Sequence, residues 1–287
     1  FKTIELIKNE LNGKKPLIGF IGSPWTVATY FIEGNSTKKF HKVFKMLNTD
    51  KELVHALLKE ITQASIKYIK KQILSGIDVV MIFDTWGGLL EGDMYKEFSI
   101  NYINEIRNSI FSNEIPIIYY IRQPKNKVDI IKSLNVDVIG IDSTINIGEF
   151  KKLVEGKFAL QGNLDVNILK LSDKEMHNEV ENILESYNET TGHIFNLGTG
   201  ITPDINPDKL KALIDILANI SPKYNVKWIM KFNNIFLIGL MGSGKTSIGK
   251  ILAKKLKKNF FDIDDEIINK MNLTISKIFK NYGETKF

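Results

Sequence analysis

The chain of 287 residues contains no cysteine, which excludes disulfides, thiolate metal centres and cysteine nucleophiles together. Arginine is almost as scarce: Arg107 and Arg122 are the two among 39 basic residues. The net charge of +6 therefore rests on scattered lysines, alongside the abundant isoleucine and asparagine of an AT-rich coding sequence. It reads as a solvated surface with no nucleic-acid partner. No apolar run approaches the roughly 20 residues of a membrane span, and no signal-peptide pattern opens the chain. The cytosol is the expected compartment, with no membrane partner.

What is present is enough apolar residue, 43%, to bury a sizeable core and form one large domain plus part of another. Residue 1 is Phe, and residues 1–11 read as an amphipathic helix with Ile4, Ile7 and Leu11 on one face, stopped near Gly13. Residues 278–287 end without a closing element. Both ends are read as cut.

Between Pro16 and Asn219 short apolar runs alternate with longer amphipathic stretches. The runs at 17–21, 79–83, 117–121, 138–141, 158–160 and 194–197 are rich in Ile and Val, as parallel strands buried on both faces require. Helical stretches are expected at 50–74, opened by an Asp50 cap and ended near Gly76, and near 93–112, 124–134, 147–154, 173–187 and 206–219. About six β-α units result, an α/β fold. An open doubly wound sheet and an eight-unit barrel compete, the barrel lacking two units. Polar or flexible residues follow every run: Gly22-Ser23-Pro24-Trp25, Asp84-Thr85-Trp86-Gly87-Gly88, Arg122-Gln123, Asp142-Ser143-Thr144, Gln161-Gly162-Asn163 and Gly198-Thr199-Gly200. Each could simply cap the next helix, but six in succession favour one shared site at the carboxyl rim of a TIM-type barrel.

Four of these segments resemble the uroporphyrinogen decarboxylase family. Gly22-Ser23-Pro24-Trp25-Thr26 with Tyr30 and Glu33-Gly34, Phe83-Asp84-Thr85-Trp86-Gly87-Gly88, Gln161-Gly162-Asn163-Leu164-Asp165, and Phe195-Asn196-Leu197-Gly198 with Gly200-Ile201-Thr202-Pro203-Asp204 are similar to its ordered signatures, and the resemblance covers about residues 1–220. It implies a barrel, usually a homodimer, and cofactor-independent decarboxylation of the acetate side chains of uroporphyrinogen to give coproporphyrinogen in haem biosynthesis. It places Tyr30 at the family's catalytic and substrate-binding tyrosine and Thr85 at its hydroxyl residue. The family's histidine falls at Thr199, which can donate a hydrogen bond but cannot carry positive charge. The family's arginine-bearing motif and catalytic aspartate find no match in residues 1–287. Asp84 and Asp142 do not correspond to that aspartate and are read as helix caps or loop supports.

A second pattern follows a polar link at 223–233. The apolar run at 235–238 leads into Gly239-Leu240-Met241-Gly242-Ser243-Gly244-Lys245-Thr246, a complete phosphate-binding loop between an expected strand and a helix from about Lys245. Gly239, Gly242, Ser243, Gly244, Lys245, Thr246 and Ser247 are the expected ATP-binding residues, with the Thr246 hydroxyl reaching Mg2+. Together with Phe261-Asp262-Ile263-Asp264, the segment resembles shikimate kinase. That resemblance puts Asp262 near Mg2+ and Asp264 on the hydroxyls of shikimate.

The expected organisation is thus a barrel over 1–222, a linker over 223–233 and a kinase-like segment over 234–287. The substrate-binding arginine, substrate loop and lid of that kinase are not in this sequence, and Met230 reads as a start codon of its own. Two rival readings stand beside decarboxylation: an ATP-dependent shikimate kinase, and an inactive fragment or read-through product of neighbouring genes. The chain as given is expected to bind nucleotide phosphate weakly and to turn over neither substrate.

Overall fold

The computed structural model describes residues 1–34, 39–110, 115–189 and 192–224, with isolated positions between 250 and 277. The expected strand at 235–238 lies outside the described residues, as does 225–233 of the expected linker; of the helix expected from Lys245, Lys250, Ala253 and Lys254 are described and are helical.

The apolar runs form β1 (Ile18–Gly22), β2 (Val79–Asp84), β3 (Ile117–Ile121), β4 (Val138–Ile141), β5 (Ala159–Leu164) and β6 (His193–Leu197). They make one sheet in sequential order, every neighbouring pair parallel. The helices are α1 (Lys2–Leu11), α2 (Pro24–Glu33), α3 (His41–Thr49), α4 (Lys51–Leu74), α5 (Gly92–Tyr95), α6 (Asn101–Ser109), α7 (Val128–Ile131), α8 (Ile147–Leu153), α9 (Asp173–Tyr187) and α10 (Pro207–Ile220). A π-helical turn, Lys96–Ile100, joins α5 to α6.

Strand parity decides between the two candidate architectures. Alternate strand residues (Ile21, Val80, Ile82, Ile117, Tyr119, Ile139, Ile141, Leu160) share one large core with residues of the helices. The residues between them, Met81, Ile118, Tyr120 and Val138, form a separate small cluster with Val79, Phe83 and Ala159. A doubly wound sheet would place helices against both sets. The described helices cover one, so the sheet has the helices outside and Met81, Phe83, Ile118, Tyr120 and Val138 on its inner face, as six successive units of a TIM-type barrel do. The interior face is wettest at its two edges, where Ile18, Phe20 and Ile194 are 37%, 44% and 42% exposed.

The helix boundaries follow their caps. Asp50 accepts a bond from Leu53 N at 3.0 Å, and Ser172 with Glu175 forms a complete capping box on α9. At the end of α1 two left-handed residues follow one another, the C-cap Asn12 at φ 44° and the expected stop Gly13 at φ 71°. Two helices were not expected. α2 opens on proline and is rich in β-branched and aromatic residues, so its sequence reads as a loop. Proline is nevertheless favoured at the first helical position, Ser23 caps the helix and Gly34 ends it, and burial of Trp25, Ala28 and Thr29 supplies what propensity does not. α3 is a short helix that buries only Val43 and Leu47. β5 is longer than the apolar run at 158–160 because polar residues continue the ladder. The Asn163 side-chain amide donates to the carbonyls of Asp142 and Ile145 at 2.9 and 2.6 Å, so a polar residue is satisfied inside the sheet. Among the described residues no helix is long and apolar enough to cross a membrane.

Candidate active site

Because all six strands run the same way, the segments that follow them meet at one rim. The rim is organised around a single carboxylate. Asp84, the last residue of β2, is fully buried with the parity of the helix-facing residues. Its Oδ1 accepts from the hydroxyls of Ser23 at 2.5 Å and Thr26 at 3.2 Å. Its Oδ2 accepts from Ser99 and Tyr119, each at 2.6 Å, and the Tyr119 hydroxyl also bonds that of Tyr95 at 2.7 Å. Burial raises the Asp84 carboxyl above the ordinary carboxylate range, and the bonds from Ser23, Ser99, Tyr119 and Thr26 oppose that rise.

Two of those hydroxyls have a second task that fixes where their protons point. Ser23 Oγ accepts the amide of Thr26 at 3.0 Å, capping α2, and Thr26 Oγ1 accepts the amide of Trp86 at 3.2 Å. With their acceptor sides engaged, both hydroxyls donate to Asp84. One carboxylate thereby sets both the entry of α2 and the backbone of the loop after β2. Gly87 is required by the same group, since a Cβ there would lie 2.0 Å from Asp84 Oδ2. The loop is held a third time by Trp25 Nε1, which donates to the Trp86 carbonyl at 2.9 Å.

Trp86 is the platform that this scaffold presents. Its ring meets Tyr30 edge-on at 6.4 Å and Phe40 at 4.7 Å, while the guanidinium of Arg122 lies 5.9 Å from it. Its own buried Nε1 meets no acceptor among the described residues. Tyr30 is 40% exposed and Thr85 is half-buried beside Trp86.

Across the rim, Asp142 is a second buried acceptor. It takes the amide of Gln123 at 3.2 Å and the hydroxyl of Thr144 at 2.5 Å, with Arg122 Nε at 4.0 Å. A Cβ on Gly198 would stand 2.6 Å from Ser143 N, so the Gly198-Thr199 turn rests against the Asp142-Ser143 loop. Tyr120 Oη donates to the Gly198 carbonyl at 2.7 Å across the sheet interior; burial foremost, and then Asp142, push that phenol up to about 12. Half-buried Thr199 thus belongs to the Asp142 side of the rim, and Tyr30 and Thr85 to the Trp86 side. Among the described residues no hydrogen bond joins Thr199 to either of them.

Asp84 and Asp142 are loop supports, as one of the two readings of each held. What sequence reasoning did not reach is that Asp84 gathers Ser23, Thr26, Ser99 and Tyr119, or that Trp86 and Arg122 are neighbours. Of the expected kinase residues, Gly239, Gly242, Ser243, Gly244, Lys245, Thr246, Ser247 and Asp264 lie outside the described residues. Asp262 is half-buried.

Replacing Asp84 with Asn keeps shape and removes charge, but it gives the amide one acceptor oxygen and an N–H group that faces hydroxyls already donating inward. The expected cost is about 1–3 kcal/mol of stability, measured by urea unfolding, with loss of the near-ultraviolet dichroism of Trp86. An unchanged midpoint and spectrum would show that Asp84 organises nothing.

The comparisons agree with this geometry. The family model for uroporphyrinogen decarboxylase matches residues 1–220, and that for shikimate kinase matches residues 241–287. The chain is 39% identical over 228 residues to uroporphyrinogen decarboxylase of Legionella pneumophila (strain Paris), covering 79% of this chain and 65% of that protein. It is 40% identical over 224 residues to the Alcanivorax borkumensis protein of the same name, covering 77% and 64%. The chain therefore spans about two-thirds of the length of these curated relatives. Among solved structures, a methyltransferase from Methanosarcina mazei superposes with a TM-score of 0.66 at 18% identity, covering 76% of this chain and 63% of that one. A B12-independent methionine synthase from Shewanella gives 0.56 at 13% identity, covering 77% and 66%. These last two are likenesses of fold alone. Through residues 1–220, with the family's motifs set on one rim of a parallel sheet, the chain belongs to the uroporphyrinogen decarboxylase family.

Proposed function

We propose that residues 1–222 hold uroporphyrinogen at the carboxyl rim and serve the decarboxylation of its acetate side chains to methyls, giving coproporphyrinogen. The observation that carries this reading is the Trp86 platform, with Tyr30 and Thr85 beside it, on a rim built from the family's motifs. The reaction of the family needs no cofactor because the substrate supplies its own electron sink. Protonation of a pyrrole carbon makes a ring cation; the bond from the acetate methylene to its carboxylate breaks; the electron pair flows into the ring; carbon dioxide leaves. The methylene takes up a proton to become methyl, and the ring carbon gives one back. A site for this chemistry must hold several carboxylates and stabilise the cation as it forms.

In this reading Tyr30 is the catalytic hydroxyl and, with Thr85 and Thr199, binds substrate. Each hydroxyl donates a hydrogen bond to a carboxylate oxygen. Thr199 stands where the family has histidine, so it contributes no charge. The cytosol as compartment, a homodimer through the barrel, and a boundary at 222 before a linker over 223–233 belong to the same proposal.

For residues 234–287 we propose ATP binding of the shikimate kinase type, with Gly239, Gly242, Ser243, Gly244, Lys245, Thr246 and Ser247 around the phosphates. The residue types fit the group. Glycines let backbone amides close on phosphate, Lys245 offsets its charge, and the Thr246 hydroxyl and the Asp262 carboxylate are oxygen ligands of the kind Mg2+ takes. Asp264 is the proposed acceptor for shikimate hydroxyls. A joined product of two neighbouring genes remains the second reading, favoured by the match of two unrelated families to adjacent stretches.

The decarboxylase reading is tested with uroporphyrin, the oxidised octacarboxylate analogue, titrated against tryptophan fluorescence, alongside an assay for coproporphyrinogen. Saturable quenching is expected, weakened severalfold in Tyr30→Phe and strengthened in Thr199→His at pH values below the roughly 6.5 of free histidine. Absence of both saturable binding and product would overturn it. For the second segment, ATP titration should show weak binding that Lys245→Ala abolishes; identical titrations for the two proteins would refute it.

A further inference from the structure

The proposed substrate is a polyanion, yet the chain is nearly without arginine, so each cation at the rim matters. Arg107 is not available, being 9% exposed in α6 and facing Asp137 at 3.8 Å and the Ile115 carbonyl at 3.3 Å. Arg122 is placed differently. It is the first residue after β3, its side chain is 40% exposed, and it lies between the two halves of the rim. On one side its guanidinium is 5.9 Å from the ring of Trp86, and on the other its Nε is 4.0 Å from Asp142.

We propose that Arg122 is a substrate-binding residue that takes a carboxylate of the porphyrinogen; the inference rests on the decarboxylase reading given above. Three observations support it. The neighbour Asp142 is a poor partner, because its oxygens are already engaged by Gln123 N and by the amide and hydroxyl of Thr144 at 3.2, 3.4 and 2.5 Å, while the separation from Arg122 exceeds a hydrogen bond. Most of the five guanidinium donors are thus left for a ligand. Contact with the Trp86 face restricts the side chain in advance, which lowers the ordering cost of binding. The backbone is also fixed. Gln123 takes φ 53°, in the left-handed region, with its amide on Asp142. The Arg122 carbonyl stands where a Cβ on Gly88 would approach to 2.8 Å, so the loop after β2 packs directly on the turn that carries the arginine. A planar fork held over an aromatic face beside Tyr30 suits a carboxylate at the periphery of a tetrapyrrole.

The test is uroporphyrin titration of the whole chain and of Arg122→Gln and Arg122→Lys, with a tetracationic porphyrin of similar size as the control ligand. Thermal unfolding of each variant is followed in parallel. We expect Arg122→Gln to weaken uroporphyrin binding about tenfold, the loss of one charge-assisted bond. Arg122→Lys should recover only part of this because it lacks the fork, the cationic porphyrin should show no weakening, and Tm should change little. Equal uroporphyrin affinity in wild type and Arg122→Gln would overturn the role of Arg122 while leaving the decarboxylase reading intact. Absence of uroporphyrin binding in the wild type would remove both.

Discussion

The carboxylate of Asp84 is sealed from water between the sheet and its helices, and the rim of this protein is arranged to make that placement tolerable. An unpaired buried carboxylate costs several kcal/mol. Four hydroxyls from three elements, α2 with its cap, the π-helical turn and β3, converge on this one. Because Ser23 and Thr26 also accept backbone amides, their bonds to Asp84 carry over to the cap of α2 and to the amide of Trp86. Tyr30 is borne on α2, and Trp86 carries the contacts to Tyr30 and Arg122. The positions of Tyr30 and Trp86 therefore trace back to one buried acid, two bonds away, while Thr199 rests on the Asp142 side of the rim.

The arrangement separates support from contact. Residues of helix-facing parity, Asp84 and Tyr119 among them, are buried and committed to one another. Residues beyond the strand ends, Tyr30, Thr85, Arg122 and Thr199, keep exposed or half-buried side chains with few internal partners. Asp142 repeats the device on the other side of the rim, holding Gln123 and Thr144. A polyanionic ligand would then meet hydroxyls and one guanidinium on a frame whose own negative charges are already satisfied.

Much of this was legible in the sequence. The six strands were found because short continuous apolar runs carry a strong signal, even in β1 and β6, which are exposed on the inner face, and the residues after them lie on one rim. The open question between sheet and barrel was closed only by parity, which depends on where the helices pack. α2 was missed because its stability lies in the burial of Trp25 and in a cap completed by Asp84, 61 residues from Ser23. For the same reason Asp84 could be named a loop support but not a hub. Ser23 and Thr26 share one motif, but Ser99 and Tyr119 lie in none, and only the fold brings all four to Asp84. Arg122 was visible as one of two arginines, while its place over Trp86 follows from the pairing of β2 with β3.

If Asp84 governs the rim, the two amides tied to it through hydroxyls must open as rarely as the core of the sheet. Hydrogen exchange of the backbone amides of Thr26 and Trp86, followed residue by residue in the native protein, measures this directly. Protection equal to that of the amides in β2 and β3 is the predicted result. Exchange at the rate of exposed loops would contradict the claim that this buried carboxylate fixes the site.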